Sequence, residues 1–422
     1  MMRQYDNQNP LILPVSHNLP SFRSRLRAAP VPDRSTSLES GFSLYRETVM
    51  RTDKIKLPAP APGHDRALTV HHFGTGERKA YLHAGLHADE WPGLLVLQHL
   101  LQRLIELEAQ GQVKESIVLV PYANPVGMNQ RLFGYVPGRY DAVTGQNFNR
   151  GMSIDSTALL DQVRDRLGDD ATTNDRIMRE TLHEMAQNSG GEHEIQALHR
   201  ALLSQSLDAH LMLDLHCDDE ALPHVFYGDH QRETGRQLAD CLGYPVRLEE
   251  DVRGIVAFDG THTQPWVKVA EATGAPFAEP CFAATLELRG STAVSDELAR
   301  RDADGILAFL EQQGYITGVR AEPQPQEHDT VAINVDQVRV VKSEANGIVT
   351  YHRQLGEHLQ AGDHFADIVL LDQDKPERIA ITAPTSGMLF TRTVDYLVYP
   401  GSTLGMIASD KRQIEPGRQL SF

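Results

Sequence analysis

Tyr81-Leu82-His83-Ala84-Gly85-Leu86-His87-Ala88-Asp89-Glu90 joins an apolar run to a long helical pattern. Lys79 to Ala84 reads as a buried strand, and Leu94 to Leu107 carries leucines at helical spacing, ending near Gly111. Ser116-Ile-Val-Leu-Val-Pro121 is a second buried strand. Apolar strands alternating with a helix predict an α/β fold: a mostly parallel or mixed sheet covered by helices. In such sheets, sites gather in loops beyond the carboxyl ends of the strands. The loop 85–90 and the segment Tyr122 to Gly127 fall there. His87 and Glu90 therefore stand where both can point at one spot. Zn²⁺ takes imidazole nitrogen and carboxylate oxygen at about 2.0–2.2 Å, and a catalytic zinc usually has three protein ligands and an open position. His87 and Glu90 are candidates for two of the three.

The bulk properties limit the alternatives. A chain of 422 residues is too long for one typical core, so two domains are expected. The net charge of −17 argues against nucleic acid and against an anionic membrane surface. No apolar run approaches the length of a membrane span. Met1 to Pro14 lacks the pattern of a secretory signal. Three cysteines (Cys217, Cys241, Cys281) suit reduced thiols, so a cytoplasmic location is expected.

Outward from the opening stretch, residues 1–50 read as an extension that wraps the surface or is partly mobile. Ala67 to Phe73 alternates as a strand. Residues 131–150 form a long loop rich in Gly, Tyr and Arg, of the kind that is usually functional or disordered. It holds Arg139, Asn147, Asn149 and Arg150. An arginine fork grips a carboxylate bidentately, although a lone Arg in such a loop is more often a solvated one. Residues 155–208 are acidic and read as a helical insertion. Leu211 to Leu215 is a buried strand with His216 at its carboxyl end, where a satisfied core histidine competes with a functional one. Asp214 leaves the same face as His216 and could orient a ligand. Cys217, on the opposite face, reads as a packed thiol.

Residues 223–285 show short strands and turns, with a helix expected from Trp266 to Thr273. Glu287 interrupts the apolar strand Cys281 to Leu288. A carboxylate there is costly unless paired or functional, and burial raises its pKa toward values useful for proton transfer. The simpler alternative pairs it with Arg289. A helix from Asp296 to Glu311 closes this part, and Glu322 to Glu327 reads as a linker. From residue 336 the chain becomes short alternating strands with a weak internal repeat, Asn346 to Val369 against Ser386 to Ile407. That pattern suggests a small β-sandwich or flattened barrel. It resembles a biotinyl/lipoyl-carrier domain, with Lys375 near the carrier position. Pro376 directly after it departs from that pattern, and a structural appendage is the better reading.

Taken together, these segments resemble the succinylglutamate desuccinylase/aspartoacylase family, relatives of the zinc carboxypeptidases. Gly85-Leu-His87-Ala-Asp-Glu90 resembles its Gly-x-His-x-x-Glu zinc motif, and Asp214-Leu-His216 its third-ligand strand. Arg139, then Gly145 to Arg150, resembles its substrate segment. Thr285-Leu-Glu287 resembles the strand of its general base. Asn147 stands where the family usually has Asp, and Gly151-Met152 replaces a frequent Phe. The resemblance covers about residues 65–315, and the trailing β domain is also similar to one found in many members.

The resemblance implies a zinc carboxypeptidase-like α/β domain over 51–320 and a C-terminal all-β domain over 330–422. It implies one Zn²⁺ per chain on His87, Glu90 and His216, with Glu287 as general base. Arg139 is expected to stabilise the oxyanion, and Asn149 and Arg150 to hold the substrate carboxylate. The expected reaction is hydrolysis of the amide of a small-molecule N-acyl amino acid, with no nucleic-acid or membrane partner; a homo-oligomer is left open. The alternatives are a metallocarboxypeptidase on short peptides and a non-catalytic carrier-like binding module.

Overall fold

Nine strands form one sheet, in the order β1-β2-β4-β3-β5-β9-β7-β8-β10. In the computed structural model the described residues are 50–191, 193–319 and 323–413. The extension read over 1–50 therefore lies outside them, apart from Met50, as does the start of the linker. The chain runs β1 (Arg51–Leu57), β2 (Arg66–Phe73), β3 (Lys79–Ala84), α1 (Pro92–Ala109), β4 (Ser116–Val120) and the short α2 (Pro125–Met128). The acidic segment resolves into α3 (Ser156–Val163), α4 (Ala171–Gln187) and α5 (Glu194–Ser206). Then come β5 (Leu211–Asp218), β6 (Glu220–Ala221), β7 (His224–Gly228), α6 (Arg232–Leu242), β8 (Val246–Glu250), α7 (Phe258–Thr273), β9 (Phe282–Gly290) and α8 (Asp296–Gln312).

The centre of the sheet is parallel: β3 pairs with β4 and β5, and β5 pairs with β9. Antiparallel pairs β1–β2, β2–β4 and β7–β9 make the whole sheet mixed. Both faces are covered, which is why the central strands read as continuous apolar runs. Alternation along each strand separates two cores. Leu82, Leu213, Leu215 and Leu286 face α1, α6 and α8. Tyr81, Met212 and Ala283 face the other way, toward Met178 of α4, Leu198 of α5 and Phe258 of α7. Helix α1 starts with Pro92 at its first position and buries Val96, Leu97, Leu100, Leu104 and Leu107, one face at helical spacing. Each such leucine contributes about 1.5–3 kcal/mol by leaving water. Helix α8 starts where Ser295 accepts from the Leu298 N–H, with Asp296 and Glu297 in its positive first turn.

One expected element differs. Helix α7 begins at Phe258, eight residues before Trp266, and carries Pro265 inside it. Its polar first half looks like a turn in sequence, yet His262 and Thr263 each return a side-chain hydrogen bond to the carbonyl four residues earlier, and the Thr261 hydroxyl donates to the Met152 carbonyl at 2.7 Å. That satisfies the polar side chains and lets them be buried in a helix.

The last part comprises β10 (Val331–Asn334), β11 (Val338–Lys342), β12 (Gly347–Tyr351), β13 (His358–Leu359), β14 (His364–Leu370), β15 (Glu377–Thr382), β16 (Gly387–Arg392), β17 (Leu397–Val398) and β18 (Thr403–Ala408). Strands β11-β18-β16-β13 make one antiparallel sheet and β15-β14-β12-β17 another. Val341, Leu389 and Ile407 from the first pack with Val349, Phe365 and Ile368 from the second. Strand pairings tie this region to the large sheet, with β10 parallel on β8 and β6 paired with β16, and Leu222, Val246 and Leu248 share a buried cluster with Val338, Phe390 and Met406. Lys375 lies in the exposed loop 371–376 between β14 and β15.

Candidate active site

Two successive rows of side chains cross one face of the sheet at the carboxyl ends of its central strands. Across the first row, His83 of β3 pairs with Asp214 of β5, and Asp214 with Thr285 of β9. Two residues on, His216 pairs with Glu287, and Glu287 with His224 of β7. Because strands alternate faces, the second row stands directly beyond the first on the same side.

Past the end of β3 the chain turns sharply. Gly85 has φ +70°, and a Cβ there would sit 2.7 Å from a methyl of Leu94, so the turn and the packing of α1 both favour glycine. The turn brings His87 and Glu90 beside His216. His87 Nδ1 lies 2.8 Å from Glu90 Oε1, and His216 Nδ1 lies 2.7 Å from Glu90 Oε2. The Cys217 N–H also donates to Glu90 Oε2, at 3.2 Å. The ligand atoms of the three residues all lie within 4.8 Å of one another, and all three side chains are buried.

The far nitrogens of both imidazoles are held. His216 Nε2 is 2.9 Å from Asp214 Oδ2, and the other Asp214 oxygen is 2.7 Å from His83 Nε2. His83 Nδ1 in turn lies 3.0 Å from the Tyr81 hydroxyl. His87 Nε2 is 3.0 Å from Asn147 Oδ1. Both Nδ1 atoms are thus left to face Glu90, while Nε2 meets an oxygen acceptor. This is the arrangement that fixes the tautomer of a ligating histidine. Two imidazole nitrogens and one carboxylate, with oxygen partners behind them, fit a zinc ion by donor chemistry.

The electrostatics of the group are strong. Burial opposes charge on His216, but the carboxylates of Asp214 and Glu90 outweigh it and raise its pKa well above the ordinary value. Burial likewise acts against ionised Glu90, yet His216 and His87 hold it low. Glu287 goes the other way. Burial, with the Glu90 and Asp218 carboxylates, pushes it up to about 8 against the pull of His216 and Arg139. Its Oε2 is shielded from solvent and has no hydrogen-bond partner among the described residues. The alternative pairing with Arg289 is not formed: Arg289 grips Asp302 with two bonds of 2.6 and 3.1 Å instead.

The loop 131–150 folds back over these groups. The Phe148 N–H donates to the Arg139 carbonyl, and the Phe148 ring is buried in the core, which pins the loop. Gly138 has φ +61°, and a Cβ there would come within 2.0 Å of Asp89, so the approach before Arg139 needs glycine. Half-exposed Arg139 places one nitrogen 3.3 Å from His87 Nδ1 and 3.8 Å from Glu90 Oε1. Arg150 donates to the Asn149 carbonyl, and its pKa is lowered by burial and by the nearby charge of Arg139. The Asn149 amide is engaged by the protein itself: Nδ2 is 3.3 Å from His216 Nε2, and Oδ1 accepts from the Phe258 N–H. A cavity of about 740 Å³ opens over the group, reached by Arg139, Arg150, His216 and Glu287, and also by Arg392 and Asp395 of the C-terminal region.

His87, Glu90, His216, Glu287, Arg139, Asn149 and Arg150 therefore all come together. Sequence reading missed His83 and the part played by Asn147. His83 could have been found from its spacing two residues after Tyr81 on the site-facing side of β3. Nothing local marks the Asn147 contact with His87.

A family model, the succinylglutamate desuccinylase/aspartoacylase catalytic domain, matches residues 77–312. Among solved structures, a protein described as a succinylglutamate desuccinylase/aspartoacylase from Shewanella frigidimarina NCIMB 400 is 24% identical, with TM-score 0.74, covering 86% of this chain and 98% of its own. A family protein from Shewanella amazonensis SB2B is 25% identical, with TM-score 0.74, covering 85% and 99%. The product-bound ectoine utilization protein EutE (DoeB) from Ruegeria pomeroyi is 17% identical, with TM-score 0.58, covering 85% and 95%. No curated protein matches the chain.

Proposed function

The chain belongs to the succinylglutamate desuccinylase/aspartoacylase family, and from that premise we propose that it is a zinc-dependent deacylase cleaving the amide of an N-acyl amino acid. The observation that carries the reading is Glu90, whose two oxygens each face the Nδ1 of a different histidine, with Glu287 beside the second of them. His87, Glu90 and His216 would hold the zinc. A bound zinc supplies a Lewis acid for the scissile carbonyl and brings water into the range of a nucleophile near neutral pH.

The protein's own groups do the rest. Glu287, unpartnered at Oε2 and raised toward neutrality, is placed to take a proton from the attacking water and return it to the leaving amine. Arg139 keeps a positive charge over the ligand atoms, where negative charge develops on the former carbonyl oxygen. Arg150, close enough to Arg139 for their charges to repel, makes a second cationic contact for a substrate carboxylate. The Asn149 amide is anchored where its Oδ1 accepts from the Phe258 N–H, with Nδ2 beside His216. A cavity of about 740 Å³ takes a small ligand rather than a protein segment. The division into a hydrolase part, 51–320, and a C-terminal β part, 330–422, goes with this reading. So does a role for the β part as a wall of the cavity rather than a carrier.

Hydrolysis of a panel of N-acyl amino acids and dipeptides, by wild type and Glu287→Gln, tests the proposal. We expect release from the N-acyl amino acids, with turnover in the variant lower by about 10²–10⁴-fold at undiminished zinc content. Faster hydrolysis of dipeptides would replace the deacylase with a carboxypeptidase. Full activity in Glu287→Gln would remove that residue from the chemistry.

A further inference from the structure

Among the described residues, one other group has metal-ligand geometry: His352, His364 and Asp367, in the C-terminal β region. Two positions on β14 and one just past β12 bring it together. His352 follows β12 and extends its pairing, its N–H donating to the Phe365 carbonyl at 3.0 Å. His364 and Asp367 both lie on β14, three residues apart. In a regular strand, residues three apart leave opposite faces. Here β14 is irregular: His364 stands across from Thr382 and Ala366 from Ile381, so β14 advances two residues while β15 advances one. Such a bulge re-aims a side chain, and His364 ends up on the side of Asp367.

The contacts repeat those at Glu90. His364 Nε2 lies 2.7 Å from Asp367 Oδ1, and His352 Nε2 lies 3.1 Å from Asp367 Oδ2. Each oxygen of one carboxylate thus faces a different imidazole, and the two rings lie 4.2 Å apart. The three ligand atoms fall within 4.8 Å of one another. Ligands around a tetrahedral zinc at about 2.1 Å stand roughly 3.4 Å apart, so a small adjustment of the half-exposed imidazoles would admit an ion. Asp367 is nearly buried and fixed, while both imidazoles reach solvent, leaving room for water to complete the coordination. Nearby cations include Arg353, whose Nε donates to the His364 carbonyl at 3.1 Å while its head pairs with Glu357 and Asp363, and Arg378, whose nitrogen is 3.4 Å from Asp367 Oδ2 and 3.4 Å from Thr350 Oγ1. Arg378 is exposed, and its contacts are long enough to be given up.

We propose that His352, His364 and Asp367 form a second site for a divalent transition-metal ion, zinc by ligand type, clamping β12 to β14 at the surface. It uses no residue of the site beneath the large cavity and does not depend on the proposed reaction.

The test is zinc titration of the full chain carrying His87→Ala and His216→Ala, read by elemental analysis after gel filtration and by thermal unfolding. We expect one zinc to remain bound, with a rise in Tm on adding zinc. Adding His364→Ala should abolish both effects, and adding Arg378→Ala instead should tighten binding severalfold. A chain with His87→Ala and His216→Ala that takes up no zinc overturns the proposal. So does binding that survives His364→Ala. If that chain does not fold, wild type serves: two zinc ions should fall to one in His364→Ala, and an unchanged count overturns the proposal.

Discussion

Asp214→Asn tests the proposal that the fold prepares His216 to bind metal. Asp214 is fully buried, with one oxygen 2.7 Å from His83 Nε2 and the other 2.9 Å from His216 Nε2. A carboxylate only accepts, so it requires a proton on His216 Nε2 and leaves Nδ1 as the ligand atom. An asparagine must place its NH₂ toward either His83 or His216. Facing His216, it forces the opposite tautomer and puts a proton on Nδ1; facing His83, it leaves a neutral oxygen for His216 and weakens the imidazole as a ligand. Removing an oxygen partner of this kind typically costs 10–100-fold in metal affinity, about 1.4–2.7 kcal/mol. Competition with a chelator of known zinc affinity, at fixed pH and salt, reads the loss directly. The variant should keep its fold, because the amide nearly matches the carboxylate in shape. Zinc affinity equal to wild type in a folded Asp214→Asn chain would refute this account of the two rows.

Other consequences follow from the same buried groups. The carboxylates of Asp214 and Glu90 raise the pKa of His216 well above the ordinary value, so zinc binding on the proposed ligands would have to displace a proton from it. Calorimetry in buffers of different ionisation enthalpy should show proton release at pH 7 and an affinity that falls as pH drops; uptake independent of buffer would contradict this. His262, buried between the Phe258 carbonyl and the Ser206 hydroxyl, is held down to about 4 by burial. Its folded pKa is below the unfolded value of about 6.5, so its contribution is intact above that and is lost as pH falls toward 4, up to about 3 kcal/mol. Denaturant midpoints of wild type and His262→Gln should therefore converge between pH 6.5 and 4, and a constant gap would show that His262 does not titrate there.

The sequence made the centre of the large sheet legible because β3, β4, β5 and β9 are covered on both faces and so read as apolar runs. The same fact exposed the site: Glu287 stands out because a charge in such a strand is expensive, and His216 because it ends one. The opening of α7 was hidden, since its buried Thr and His residues mimic a turn and are satisfied partly by their own backbone and partly by Met152 and Ser206, far away in the chain. The loop around Arg139 was legible only as composition. Its shape comes from Phe148 seated in the core and from contacts between residues far apart in the chain, such as Asn147 with His87. The attachment of β10 to β8 was likewise invisible, because a four-residue strand carries too little pattern to name its partner.

On the proposed function, amide hydrolysis depends on a zinc ion held by His87, Glu90 and His216. The most direct measurement follows hydrolysis of the best N-acyl amino acid while zinc is removed with a chelator and then restored, with zinc content determined on the same samples. Activity should disappear with the metal and return in proportion to it in wild type, and should not return in His87→Ala. Hydrolysis at the full rate by the zinc-free chain would contradict the proposed function.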